Sequence, residues 1–241
     1  MWAERYSSVA ELAEYGPYTS KDLDYFGQRE AAEKLADALN GTLLIPHSDD
    51  HTPQTAIVQA TIAGQDVEID FLWHVKGVDT ASLEKQAVEV RMTVRAGSRA
   101  GQMLVPIMHP LHCMQSRLAN VVTLHRHTDL ARRQLEASPI VLREYLFEVL
   151  ASGGHRHVTS VLQGLSDYLL SDPVGRKAHK EMKNDPAAIF ARFQHDDRLD
   201  ERWREKSLAA IRQKIADRRE AWHMMVLRRL LKGAGSGSAK A

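Results

Sequence analysis

Apolar positions follow two different periods along the chain. Between residues 4 and 15, Tyr6, Val9 and Leu12 recur at helical spacing and Gly16-Pro17 stops the run, which predicts a short opening helix. Residues 19–26 alternate between polar and apolar and predict a strand. A helix is expected over 28–39, closed by Asn40-Gly41, with a short apolar strand over 42–46. After a polar loop at 47–53, two alternating runs over 55–62 and 66–74 flank Ala63-Gly64-Gln65, which is a hairpin signal. Strands are also expected at 88–94 and 103–107. Beyond Pro110 the period shifts to that of helices, expected at 112–124, 128–136, 139–152, 157–171, 173–183, 187–193 and 200–232. The last carries an apolar stripe of Leu208, Ile211, Ile215, Trp222 and Val226. The pattern therefore predicts an α+β domain over 1–112, a helical domain over 113–232 and a flexible Gly/Ser/Ala-rich tail over 233–241.

Composition narrows the function classes. Of 241 residues, 44% are hydrophobic and 26% charged, which excludes a wholly disordered or collagen-like chain. No run approaches ~20 apolar residues, so no membrane span is expected. The first residues lack the apolar core of a secretory signal. A single cysteine, Cys113, cannot form an internal disulfide, and a cytoplasmic location is expected. Aromatic residues are sparse at 6%, which argues against a stacking platform for nucleic-acid bases. The near-neutral total of +1 hides an asymmetry: residues 1–90 hold 16 acids against six Lys and Arg, and the remainder holds 26 Lys and Arg against 15 acids. An acidic half suits cation binding, and a basic half suits phosphate-rich partners.

The acidic half contains the chemistry-bearing pattern. Asp22 and Asp24 stand at i and i+2, so a strand would project both carboxylates from one face. Asp70 lies within Val67-Glu68-Ile69-Asp70-Phe71-Leu72, an isolated carboxylate flanked by apolar residues on a buried strand. If the two strands pair, three carboxylates converge. Clustered carboxylates repel and resist desolvation unless a divalent cation sits between them. Such a set suits Mg²⁺ or Mn²⁺, which can activate a hydroxyl and clamp a leaving pyrophosphate.

The residues from Thr19 to Asp24, followed by Glu68-Ile69-Asp70-Phe71, resemble the nucleotidyltransferase superfamily with a polymerase-β-like palm, and more narrowly its AbiEii-type members. The resemblance covers about residues 1–135. It implies a palm with a mixed β-sheet over 1–112. It also implies transfer of a nucleotidyl group from a nucleoside triphosphate to a hydroxyl of RNA, tRNA, protein or a small molecule. Some relatives are toxins, so an antitoxin protein is an implied partner. Carried over, Asp22, Asp24 and Asp70 become catalytic metal ligands, and Asp70 the base for the incoming hydroxyl. Lys21 precedes the acid pair as a basic residue often does in that family. Arg117, in Gln115-Ser116-Arg117-Leu118-Ala119, takes the place of a triphosphate-contacting lysine, and Arg126 and Asp129 match a later Arg and Asp. The family's Gly-Gly or Gly-Ser phosphate turn has no counterpart ahead of Asp22. The chain is therefore expected to begin inside the family motif. A non-catalytic relative, serving as a partner- or RNA-binding scaffold, is the alternative expectation.

Other candidates read more plainly. His47, Asp49, Asp50 and His51 offer metal donors but read first as a polar turn ending at Thr52-Pro53. His74 follows the Asp70 strand and is a possible member of the site rim. His109, His112 and Cys113 lack a compact zinc-ligand pattern, and Cys113 has no nucleophile signature. The histidines of His125-Arg126-His127 and His155-Arg156-His157 read as solvated helix ends. The last helix is rich in Arg and Lys, which suits an RNA backbone or simply a solvated face.

Overall fold

A computed structural model describes residues 1–18, 22–47, 49–96 and 99–235, with side chains at 22, 94–96, 99, 222 and 225–235 left out. It divides into two compact units, Met1–Arg133 and Gln134–Ala241. Strands give way to helices near residue 112, whereas the compact units part further on, inside a helix.

The first unit is α+β with a mixed sheet. It opens with α1 (Trp2–Arg5) and a separate 3-10 turn (Ala10–Tyr15), where one helix over 4–15 was expected. Ser7 and Ser8 interrupt the run, and Val9 is extended. Serine hydroxyls compete for backbone hydrogen bonds, which weakens a helix. Within the strand expected over 19–26, β1 spans Asp22–Phe26, and residues 19–21 lie outside the described residues. The next element, α2 (Arg29–Leu39), leads into β2 (Thr42–Leu44). Between them Asn40 takes a left-handed φ of 49°, and a Cβ at Gly41 would sit 2.7 Å from the Gln59 carbonyl oxygen. Only glycine allows that approach.

The hairpin expected around Ala63-Gly64 is β3 (Gln54–Ile62) and β4 (Gln65–Leu72). Ala63 and Gly64 have φ of 52° and 79°, so the two-residue turn has both central residues at positive φ, matching the strand twist. The sheet order is β1-β4-β3-β2, with β1 parallel to β4 and the other neighbours antiparallel. On one face, Ala32 and Ala36 of α2 pack against Ala56, Val58, Ile69 and Phe71. Alanines let the helix lie close to the sheet. The opposite face carries the acids.

After α3 (Thr80–Lys85), capped by the Asp79 carboxylate accepting from the Ser82 amide at 2.8 Å, comes a second sheet. It pairs β5 (Val88–Ala96) with β6 (Arg99–Ile107) alone, and both strands are longer than the alternation at 88–94 and 103–107 indicated. Next, α4 (Pro110–Leu124) starts with Pro110 at a position where a missing N–H costs nothing, and the His109 ring accepts from the Leu111 amide at 3.0 Å.

His112 on α4 is buried, with Nε2 3.2 Å from the Ser82 hydroxyl and Nδ1 unbonded among the described residues. Burial pushes its pKa below the ordinary 6.5, with the Asp79 charge pulling weakly the other way. The unfolded chain therefore binds the proton more readily. This contribution to stability is complete above the unfolded value of ~6.5 and is lost as pH falls toward the lower folded value. Denaturant titrations at pH 7.5 and 5.5 are expected to show lower stability at the acidic end. The slope is expected to be shallower in His112→Gln, and an equal slope would rule this histidine out.

The separate helices expected at 128–136 and 139–152 are one helix, α5 (Asp129–Ala151), with Pro139 inside it and the unit boundary within it. Proline removes the amide that would have bonded the carbonyl of Leu135. The neighbouring Ser138 hydroxyl donates to that same carbonyl at 2.6 Å, so the orphaned acceptor is satisfied and the helix continues.

The second unit is helical. It holds the end of α5, then α6 (His155–Ser171), α7 (Ala178–Glu181), α8 (Ala188–Phe193) and α9 (Ala209–Gly235). The helix expected over 173–183 is a 3-10 turn (Gly175–Lys177) followed by the four-residue α7. One oxygen of Asp172 accepts from the amides of Val174 and Gly175, both at 2.8 Å, and this favours a tight turn over a regular helix. The start of the long final helix is a π-turn (Trp203–Leu208). Leu208, Ile211 and Ile215 of its expected stripe are buried, and the side chains of Trp222 and Val226 lie outside the described residues. No described helix is long and apolar enough to cross a membrane.

Candidate active site

Strand pairing brings the acids together. The parallel register of β1 with β4 matches Asp22 to Glu68, Leu23 to Ile69, Asp24 to Asp70 and Tyr25 to Phe71. Partners in a parallel pair share a face, and the face alternates at each residue. The Tyr25 and Phe71 rings meet 5.0 Å apart on the α2 side, where Phe71 belongs to the core. Asp24 and Asp70, one position earlier, therefore project together from the opposite face. Adjacent strands lie about 4.8 Å apart, so the two carboxylates are close neighbours. Asp24 is exposed and Asp70 half-buried.

Hydrogen bonds orient Asp70. The Gln54 side-chain Nε2 donates to its Oδ1 at 2.8 Å, and the Thr52 hydroxyl donates to the Gln54 side-chain Oε1 at 2.6 Å. A register shift between Gln54 and Ala56 sets Gln54 opposite Leu72, on the acid face. Glu68 shares that face two residues before Asp70 and accepts from the Gln59 amide at 3.0 Å. Sequence reasoning passed over Thr52, Gln54 and Glu68. Glu68 was findable by the same i, i+2 logic that singled out Asp22 and Asp24. Gln54 was not, because its placement depends on the bulge.

The donors have the right chemistry for a hard divalent ion, since carboxylate oxygens from adjacent strands are what Mg²⁺ and Mn²⁺ prefer. Among the described residues no three His, Cys, Asp or Glu side chains stand in a metal-holding arrangement. The expected third ligand, Asp22, has a described backbone opposite Glu68, while its side chain lies outside the described residues, as does Lys21.

The remaining candidates are spread over unit one. Arg117 is half-buried on α4, and among the described residues no side-chain hydrogen bond or ion pair ties Arg117, Arg126 or Asp129 to the acid pair. One turn before Arg117, the buried Cys113 thiol is pushed up by burial, which outweighs the opposing Arg117 charge, so it is a poor nucleophile. Arg126 and Asp129 are exposed on either side of the α4–α5 turn. His74 lies two residues past β4 with its ring 4.3 Å from that of Trp73. The His47 amide donates to the Asp50 carboxylate at 2.8 Å, which is a turn bond. His109 and His112 are buried at the head of α4, their rings 5.9 Å apart.

No family model, curated protein or solved structure matches this chain.

Proposed function

We propose that the chain is a metal-dependent nucleotidyltransferase-like enzyme. It would take a nucleoside triphosphate and move the nucleotidyl group to a hydroxyl of RNA, tRNA, protein or a small molecule. The observation that supports this reading most is the parallel register that sets Asp24 beside Asp70. Asp22, Asp24 and Asp70 would hold Mg²⁺ or Mn²⁺, which supplies charge neutralisation on the phosphates and a lower acceptor pKa. The acceptor oxygen bonds to the α-phosphorus, the bond to the bridging oxygen breaks, and pyrophosphate leaves with the electron pair. The hydroxyl proton passes to Asp70, whose orientation is fixed through Gln54. Lys21 and Arg117 would steady the triphosphate, and His74, Arg126 and Asp129 would form the rim. A toxin working against an antitoxin partner is one biological form of this activity.

A second reading, supported by the Arg- and Lys-rich final helix, is a non-catalytic relative that serves as a partner- or RNA-binding scaffold. Intact-mass spectrometry separates the two. With Mg²⁺ and each triphosphate in turn, the protein itself or added tRNA is expected to gain one nucleotidyl unit with release of pyrophosphate. Chelator is expected to abolish both. No mass gain and no pyrophosphate with any triphosphate would leave the scaffold.

A further inference from the structure

The second unit contains a cavity of about 320 Å³ between the end of α6, the 3-10 turn with α7, and one face of α9. Its floor is apolar, from Leu169 and Ile215, both nearly buried. Arg176, Lys177, Lys180 and Arg218 form its walls, and no acid lines it. A shallow depression continues from it, sharing Leu170 and Arg218 and adding Lys214 and Asp217.

The acids nearest this cavity already have partners. Asp172 caps the 3-10 turn, Asp185 takes both arms of the Arg219 guanidinium at 2.7 and 2.8 Å, and Asp217 accepts from the Gln213 amide at 2.7 Å. Among the described residues, none forms an ion pair with Arg176, Lys177 or Arg218. Arg176, Lys177 and Arg218 therefore line a concave surface without an acidic partner among the described residues. His179 stands in the same cavity wall. Burial holds its pKa below the ordinary value, and the Arg219 and Lys180 charges depress it further against the opposing pull of Asp185.

We propose that this basic groove binds the phosphodiester backbone of a nucleic-acid strand. Lys214 and Arg218 are one turn apart on α9, about 6 Å along the rim, and extend the positive charge of Arg176 and Lys177 beyond the cavity. That suits a chain of phosphates better than one small anion. Among the described residues no Phe, Tyr or Trp side chain lines the cavity, so the phosphate contacts dominate and carry no sequence information. The inference goes beyond nucleotidyl transfer, because binding here needs neither the acid pair nor catalysis.

The test uses the full chain and labelled oligouridylate and oligothymidylate of about 15 nucleotides, a length typical of single-strand sites. Both are titrated over a range of salt concentrations, and comparing them identifies the preferred sugar. Wild type is expected to bind at least one strand, with affinity falling steeply as salt rises. The combined variant Arg176→Gln, Lys177→Gln, Arg218→Gln is expected to bind at least about tenfold more weakly. Its salt slope should be smaller by about two, as three phosphate contacts are removed. Should that variant fail to fold, Lys177→Gln alone, at an exposed position, is expected to weaken binding and lower the slope by about one. The His179 ring resonances are expected to shift on titration with the bound strand. Unchanged affinity in the folded variants, no binding of either strand at low salt, or capture by anionic vesicles in place of both oligonucleotides would each overturn the proposal.

Discussion

Asp70→Ala is expected to lower nucleotidyl transfer by about 10²–10⁴-fold, the range typical of losing a positioned base, and Asp24→Ala to abolish the dependence on Mg²⁺. Both residues project from the polar face of the sheet, away from the packed cluster around Phe71, so neither change opens the core. Stability is expected to move the other way. Like charges directly opposite on paired strands are destabilising, so Asp24→Asn should raise stability of the metal-free protein by about 0.2–1 kcal/mol. Added Mg²⁺ should raise the melting temperature of the wild type and leave that of Asp24→Asn unchanged. This combination of lost activity and gained metal-free stability separates a ligand pair from two surface acids. If both variants bind labelled triphosphate with wild-type response to Mg²⁺, the active-site assignment fails.

Phe190→Ala is expected to cost about 3–5 kcal/mol, a large share of the 5–15 kcal/mol that stabilises a typical domain. The reason lies in the shortness of α8. Six residues cannot sustain a helix in water by propensity. The segment is helical because Ile189, Phe190 and Phe193 are buried, with the Phe193 ring 4.8 Å from that of Phe147. Removing the Phe190 ring deletes fully buried apolar surface and leaves a cavity. In urea titrations the midpoint should fall strongly with little change in slope. Ala191→Ser, on the exposed side of the same helix, should stay within about 0.5 kcal/mol of wild type. Equal effects from the two substitutions would show that α8 is not held by this burial.

Local signals read well where one residue type settles the local conformation. Asn40-Gly41 and Ala63-Gly64 marked turns because positive φ and close approach admit few residues. The i, i+2 spacing of Asp22 and Asp24 fixed a shared face on any strand. Long-range pairing was less legible. Alternation makes β1 and β4 strands but does not choose their partners, and a parallel neighbour for β1 depends on the α2 crossover packing its alanines over the sheet. The isolation of β5 and β6 as a second sheet left no mark in the pattern either. Pro139 suggested a helix break, since the compensating bond comes from a serine hydroxyl whose rotamer the sequence does not specify. The chain from Thr52 through Gln54 to Asp70 depends on a one-residue bulge.

The two acids occupy strands of unequal standing. Asp70 lies on β4, laced on both sides, whereas Asp24 lies on β1, a five-residue strand bonded on one side alone among the described residues. Outer strands open at a lower free-energy cost than inner ones. Brief peeling of β1 would part the two carboxylates while the β3–β4 hairpin stays zipped. The weakest link in any chemistry at this site is thus the outermost ribbon of the sheet, and mild heat or denaturant would switch the pair off well before the chain unravels.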